Sequence, residues 1–314
     1  MVGLFQIVAF AAFLLLATSP ASNGQSITVT LLGTGCPPPV MERFGPSILV
    51  KAGTHTFLFD AGRGAMQRLA QTKTPWRDVT GVFLTHLHSD HLVGLPDLWL
   101  TGWIVPPRRA VPLKVWGPSG TVQMMSFLTQ AFEVDLQARP KEGGANPLGA
   151  VVDAKDISEG VVFEDGGVKV TAFNIDHGPE MPGLGYRVDY EGHSVVLSGD
   201  TRFSENLVKF AQGTDVLIHE VVSPEILLKS GVPAENIKSI SDRHTTPEEA
   251  GRLFALVAPG LAVYSHIVHP SATERDLVPP TRKYYSGPLE VGEDLMTISI
   301  GDKVEVQRPK HSNN

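Results

Sequence analysis

The 314 residues carry 26 Lys and Arg against 33 Asp and Glu, a formal charge of −7, and one cysteine, Cys36. An acidic chain without a Lys/Arg cluster is poorly suited to gripping phosphate backbones, so nucleic acid is an unfavoured partner. A lone cysteine excludes an intrachain disulfide and a thiolate zinc cluster.

The first 24 residues, "MVGLFQIVAFAAFLLLATSPASNG", contain no Asp, Glu, Lys or Arg. Their apolar core from Val8 to Ala17 is short for a membrane span and runs into small, turn-forming residues. This reads as a secretory signal peptide cut after Ala21 or Gly24, although the usual Lys or Arg near Met1 is missing. Export to the periplasm or medium is the expectation, with no stable membrane insertion once the segment is removed; the alternative is an N-terminal anchor that stays in place. Cys36 in "GTGCPPPV" lacks the leucine-led box of a lipid anchor. Val40 also stands where the Cys-x-Pro-x-Arg motif of formylglycine sulfatases needs Arg. A buried or loop thiol is expected.

No internal repeat breaks up the remainder, so one domain is expected over residues 25–308, with a short tail at 309–314. "SITVTLLG", "SILVKAG", "HTFLFDAG" and "VTGVFLTH" read as strands of a first sheet. "AMQRLAQT", "LPDLWLTGWI" and "TVQMMSFLTQAF" read as helices, and residues 137–150, without periodicity, as a mobile loop near the site. "GVVFEDGGVKVTAFNI" and "YRVDYEGHSVVLSGD" then give hairpins turning at Asp165-Gly166-Gly167 and Glu191-Gly192. "NLVKFAQ" is helical, and "TTPEEAGRLFALVA" is the best-signalled helix: Thr246 can cap it, Pro247 fits its first turn and Glu249 completes a capping box. "MTISIGDKVEVQ" closes the chain as a hairpin at Gly301-Asp302. Strand groups flanked by helices predict an α/β fold of two sheets packed face to face with helices outside.

The chemistry concentrates in "THLHSDH", residues 85–91. "VTGVFLT" is a buried strand by composition. At its end His86 and His88 project to one side of an extended chain, and Asp90 and His91 follow where the chain turns. Gathering so many ionisable groups is costly unless a cation compensates, and a divalent metal pair does so. The pattern of strand then His or Asp recurs: His177 after "VKVTAFNID", Asp200 after "HSVVLSG", His219 and Glu220 in "TDVLIHE", and His266 after "LAVYS". Five such strands predict one shared edge of the sandwich.

His86-x-His88-x-Asp90-His91, followed by His177, Asp200 and His266, resembles the metallo-β-lactamase superfamily of binuclear metallohydrolases across essentially the whole mature chain. The resemblance implies an αββα sandwich of two mixed β-sheets with helices on the outer faces. It further implies one metal on His86, His88 and His177, a second on Asp90, His91 and His266, and Asp200 bridging them. Within the superfamily, "VTLLGTGCPPP" with "GPSILV", "HE" at His219-Glu220, "HTT" at His244 to Thr246 and "EDLMTISI" resemble the ribonuclease Z-like branch. Val221-Val222 departs from the Ala-Thr usual there. Members that process tRNA carry a substrate-gripping arm between the positions of His177 and Asp200, which here are only 23 apart. The residual similarity is to exported members of the branch, among them the zinc-dependent arylsulfatases. True β-lactamases use Cys or another His where Asp200 stands.

The resemblance implies hydrolysis by a hydroxide generated between two divalent ions about 3.5–4 Å apart. Zn²⁺ suits the imidazole-rich set, and Fe or Mn would also suit a carboxylate-bridged pair. Asp90 is the candidate proton acceptor, His244 the candidate donor to the leaving oxygen, and Glu220 its orienter. The positive end of the helix near Thr246 favours an anionic substrate beside His244. The expected activity is cleavage of small anionic esters, of aryl sulfate or phosphodiester type. The alternatives are a ribonuclease Z-like endoribonuclease acting at tRNA 3′ ends, a lactone or thioester hydrolase, and a non-catalytic metal-binding protein. Asp60 is placed either as acceptor for a ligand histidine or as a turn residue. Trp99 and Trp103 fit an aromatic pocket or the core, and Arg108 and Arg109 an anion contact or a solvated loop. His55, His193, His269 and His311 are read as structural or surface residues, and a homodimer is compatible with the sequence.

Overall fold

The computed structural model describes residues 27–143 and 145–310. The signal-peptide reading of residues 1–24, His311 and the end of the expected tail lie outside the described residues. In chain order the strands are β1 (Ile27–Gly33), β2 (Ser47–Ala52), β3 (His55–Phe59), β4 (Gly81–Phe83), β5 (Leu113–Gly117), β6 (Val152–Asp156), β7 (Gly160–Asp165), β8 (Val168–Ile175), β9 (Gly183–Tyr190), β10 (His193–Leu197), β11 (Val216–Val222), β12 (Leu261–Val268), β13 (Leu289–Val291), β14 (Thr297–Ile300) and β15 (Val304–Gln307). The helices are α1 (Ala65–Gln71), α2 (Leu95–Ile104), α3 (Thr121–Ala131), α4 (Glu133–Glu142), α5 (Pro147–Ala150), α6 (Glu205–Phe210), α7 (Pro224–Lys229), α8 (Ala234–Ser241), α9 (Pro247–Val257) and α10 (Glu274–Thr281).

Strand periodicity explains the layering. Phe57 and Phe59 of β3 join the core between the sheets, while Leu58 between them packs outward with Leu69 of α1 and Leu98 of α2. On the other side Val216 and Ile218 face inward, while Leu217 meets Ala250, Leu253 and Phe254 of α9. The result is an αββα sandwich. One sheet runs β15-β14-β1-β2-β3-β4-β5-β6 and the other β13-β12-β11-β10-β9-β8-β7. Both are mixed: β3 to β6 are parallel and β1 to β3 antiparallel in the first, whereas β10 to β13 are parallel and β7 to β10 antiparallel in the second. Among the described residues no helix is long and apolar enough to cross a membrane.

Two bonds tie the sheets together beneath the histidine-rich turn. The Tyr186 hydroxyl donates to the Leu84 carbonyl at 2.6 Å, and the Leu184 N–H donates to the Thr85 carbonyl at 2.8 Å. Gly199 sits in the same seam with φ +61°, where a Cβ would fall 2.9 Å from the Leu184 oxygen and 3.1 Å from the Thr85 Cβ. Only glycine fits there, and it delivers Asp200 to the turn.

Where a loop is expected over residues 137–150, the described residues are mostly helical. α4 runs to Glu142, its solvated face held by Arg139 on Asp135 and Gln137 on Glu133 at i,i+4 spacing. Asn146 caps α5 by accepting the Leu148 N–H. The indoles of Trp99 and Trp103 donate to the Ala150 and Asn146 carbonyls, pinning the segment to α2. Those tryptophans are core residues and form no aromatic pocket wall. Arg109 is likewise buried, donating to the Trp99 and Gly149 carbonyls, while Arg108 bonds the Ile104 carbonyl from the surface. Neither arginine reaches the candidate site.

Candidate metal centre

β8, β10, β11 and β12 run in one direction, so their C-terminal ends open on the same edge, facing the turn after β4. The structure brings together there every residue singled out as a ligand. His86, His88 and His177 form one group whose donor atoms lie within 4.8 Å of one another, and Asp90, His91 and His266 form another. Asp200 lies between them, its Oδ2 3.8 Å from His86 Nε2 and 3.3 Å from both His91 Nε2 and His266 Nε2. His266 does not simply end a strand. β12 continues to Val268, and the register slips by one residue opposite Glu220, a β-bulge that re-aims His266 at φ +42°.

The outer nitrogens of most ligand rings are held. Asp60 Oδ2 accepts from His91 Nδ1 and from the Thr85 hydroxyl, both at 2.8 Å, and that hydroxyl lies 3.0 Å from His86 Nδ1. The Arg243 carbonyl lies 3.0 Å from His177 Nδ1. Each contact directs the opposite nitrogen inward, the arrangement that orients metal-ligating imidazoles. Inward, His86 Nε2 and His177 Nε2 stand 3.0 and 3.2 Å from His88 Nδ1. The inward His91 Nε2 and Asp200 Oδ1, and the outer Nδ1 of His266, are buried without a hydrogen-bond partner among the described residues.

Electrostatics point the same way. Burial, reinforced by His91, pushes His86 well below the ordinary imidazole range. Burial also opposes charge on His91, yet Asp200 and Asp60 hold it well above that range. Burial would keep Asp200 neutral, but His266 and His91 hold it ionised far into acid. Convergent ring nitrogens, a buried carboxylate pair and unpartnered inward atoms are the donor set of a divalent ion pair, and the residues present fit it.

Glu220 and His244 stand beside this cluster. Glu220 is fixed by the Thr245 N–H at 2.8 Å and the Thr201 N–H at 3.4 Å on Oε1, leaving Oε2 3.2 Å from His244 Nδ1. Burial opposes a charged His244, but Glu220 overrides it and pushes its pKa up to about 9. The ring lies between His177 and His266, with centroids at 5.0 and 5.8 Å. Thr246 and Glu249 form the predicted capping box of α9. His219, by contrast, points away: its ring packs edge-on to Phe254 and bonds the Glu220 carbonyl. His55 and His193 pair with Asp165 and Asp215 away from the cluster.

Three contributors escaped sequence reasoning. Thr85 relays between Asp60 and His86, and its place directly before the first histidine was the available signal. Arg243 orients His177 through its carbonyl, which no side-chain pattern reveals. Cys36, distant in sequence, lines the cavity over the cluster. Burial and the nearby Asp90 and Asp200 push its thiol far up, so it is a neutral wall there.

Residues 55–267 match the beta-lactamase superfamily domain. The chain belongs to the beta-lactamase superfamily and is a metal-dependent hydrolase of ester bonds. It is 35% identical over 277 residues to a ribonuclease Z of Mycobacterium avium (strain 104), covering 87% of this chain and 98% of that protein. This places it in the ribonuclease Z-like branch. Human tRNase Z, short form, superposes with a TM-score of 0.65 at 23% identity, covering 87% and 99% of the two chains. Zinc-bound PqqB of Methylobacterium extorquens superposes at 0.63 with 19% identity, covering 86% and 99%. At those identities the two structures speak for the fold alone. The expectation that nucleic acid is an unfavoured partner runs against relatives named for ribonuclease activity. Net charge reports on non-specific phosphate binding, not on what a metal-lined cleft cuts.

Proposed function

We propose that this chain hydrolyses phosphodiesters whose leaving oxygen is a poorly stabilised alkoxide, as in the endonucleolytic cleavage of RNA. The observation that carries this reading is His244, held by Glu220 with its far nitrogen toward the ligand cluster. An alkoxide departs only with a proton, which such a group supplies, whereas an aryl oxide scarcely needs one. His86, His88 and His177 would hold one ion, Asp90, His91 and His266 the other, and Asp200 would lie between them. Zinc is the metal we favour for so imidazole-rich a set. Bound there, the ions supply an activated water and a polarised phosphoryl oxygen. Asp90, its Oδ2 3.4 Å from His266 Nε2, keeps a second oxygen free to accept a proton. The 35% identity to a ribonuclease Z supports RNA as the first substrate to try.

A second reading, small phosphodiesters, is favoured by the connection between β8 and β9, residues 176–182, which leaves no room for an arm to grip tRNA. The decisive assay compares a tRNA precursor, a bis-aryl phosphate and an aryl sulfate with and without chelator. Chelator-sensitive cleavage of the precursor supports the first reading and of the bis-aryl phosphate alone the second. Turnover of the sulfate alone overturns both. The signal-like residues 1–24 support export, which cell fractionation tests.

A further inference from the structure

The cavity over the ligand cluster has two unlike walls. One is the cluster itself; the other is mainly apolar, with His269, which follows β12, the polar side chain at its edge besides Arg243. It is built from Pro37 and Pro38 after β1, Leu227 of α7, Val232 between α7 and α8, Ile240 of α8 and Val268 of β12. This wall is a constructed surface: Cys36, Val222, Leu227 and Val268 form their own buried cluster, on which Val232 and Ile240 pack. The cavity, about 420 Å³ and open to solvent on one side, is of a size that takes a small ring-bearing ligand. Arg243 stands at the rim, exposed, immediately before His244, and its side chain makes no hydrogen bond or ion pair among the described residues.

An ionic centre needs no apolar partner a few ångströms away, and such a wall penalises any substrate that meets it with polar surface. It rewards one that presents a flat apolar group beside its anion. We propose that the α7–α8 wall is a subsite for an aromatic ring carried on the phosphate being cleaved, with Arg243 supplying positive charge at its rim. The inference deepens the phosphodiester reading and rests on it for the identity of the anion. A ring suits the wall better than a flexible chain, because it buries a large area while losing few rotors. The ring is either the base of a flanking nucleotide or a simple aryl group, and the chemistry recognised is the same.

The test is calorimetric titration of the zinc-supplemented protein with dimethyl phosphate, diphenyl phosphate and uridine 5′-methyl phosphate. Each ring-bearing ester should bind about tenfold or more tightly than dimethyl phosphate, the scale of burying one ring face. A gain for the phenyl ester alone assigns the wall to aryl groups, and a gain for the uridine ester alone assigns it to bases. Ile240→Asp should bring the ratio to within about threefold of unity, as expected when a charge enters an apolar contact. Ile240→Ala, which adds no charge, should lower it part-way, and Leu256→Asp, on the exposed face of α9, should leave it unchanged. Equal binding of all three esters, or an unchanged ratio in both Ile240 variants, overturns the subsite. A ring preference in a protein that cleaves no phosphodiester would keep the subsite and sink the activity, whereas cleavage without preference does the reverse.

Discussion

The two sheets supply the candidate centre in different ways. From the first come His86 and His91, whose outer nitrogens are both governed by Asp60, directly for His91 and through the Thr85 hydroxyl for His86. From the second comes His266, delivered by a bulge at positive φ, whose outer Nδ1 has no partner among the described residues. One side is locked by a buried hydrogen-bond network; the other is shaped by backbone irregularity. The contrast teaches that on the first sheet one carboxylate governs two ligand rings, whereas on the second each ring is aimed separately, His177 by the Arg243 carbonyl and His266 by the bulge.

The largest effect is expected at His244, the proposed proton donor. His244→Ala should lower turnover of an alkyl-leaving phosphodiester by about 10²–10⁴-fold, the usual scale for a general acid. It should cost far less for a 4-nitrophenyl leaving group, and metal content should hold. Equal losses on both substrates would show that His244 acts by packing. The pH profile carries the same information. With its pKa raised to about 9, His244 is protonated through neutrality, so the wild-type rate should fall as pH rises through that value, a limb absent in the variant. The linked stability has the same sign: it is fully present below the unfolded imidazole value of about 6.5 and lost as pH climbs through the folded one.

Next comes Asp60→Asn, which fits the same backbone, at φ +58°, but has one acceptor oxygen where Asp60 uses two, one for His91 and the Thr85 hydroxyl and the other for the Thr85 N–H. Affinity for both ions should drop by about 10–100-fold in chelator competition, since this carboxylate orients a ligand of each. Loss of only the ion on the His91 side would break the proposed link through Thr85.

What the sequence disclosed follows the same division. Residues 85–91 are contiguous and end an apolar strand, so pattern alone marks four candidate ligands there, and the same strand-then-ligand rule picks out His177, Asp200 and His266, which the fold gathers beside them. The α9 capping box and the main hairpins were legible because their signals are local. β5, β6 and the α7–α8 pair leave no clear pattern in the sequence, because short half-buried strands and polar helices carry little periodicity. The C-terminal half of α4 reads as loop for the same reason. The role of Arg243 lies in its backbone carbonyl, and the placement of Cys36 depends on how β1 exits the first sheet; neither leaves a trace in residue type. His219 shows the limit of the rule: alternation along β11 turns Glu220 to the site and its neighbour into the α9 packing.

The smallest effect should arise where local structure meets the site. Thr246 accepts the Glu249 N–H, and the Glu249 carboxylate accepts from the Thr246 N–H and hydroxyl. Thr246→Ala removes one half of that reciprocal cap at a typical cost of about 1 kcal/mol. In a domain of this size that is a loss of a few degrees in melting temperature by calorimetry. The preceding Thr245 N–H holds Glu220 Oε1, so fraying of α9 should reach His244 and lower turnover modestly, by less than the effect of Asp60→Asn. Both outcomes should appear together, because one helix start serves both. A melting shift with unchanged turnover would mean that the Glu220–His244 pair is held by β11 alone, and that the second-sheet side of the centre is stiffer than its bulge implies.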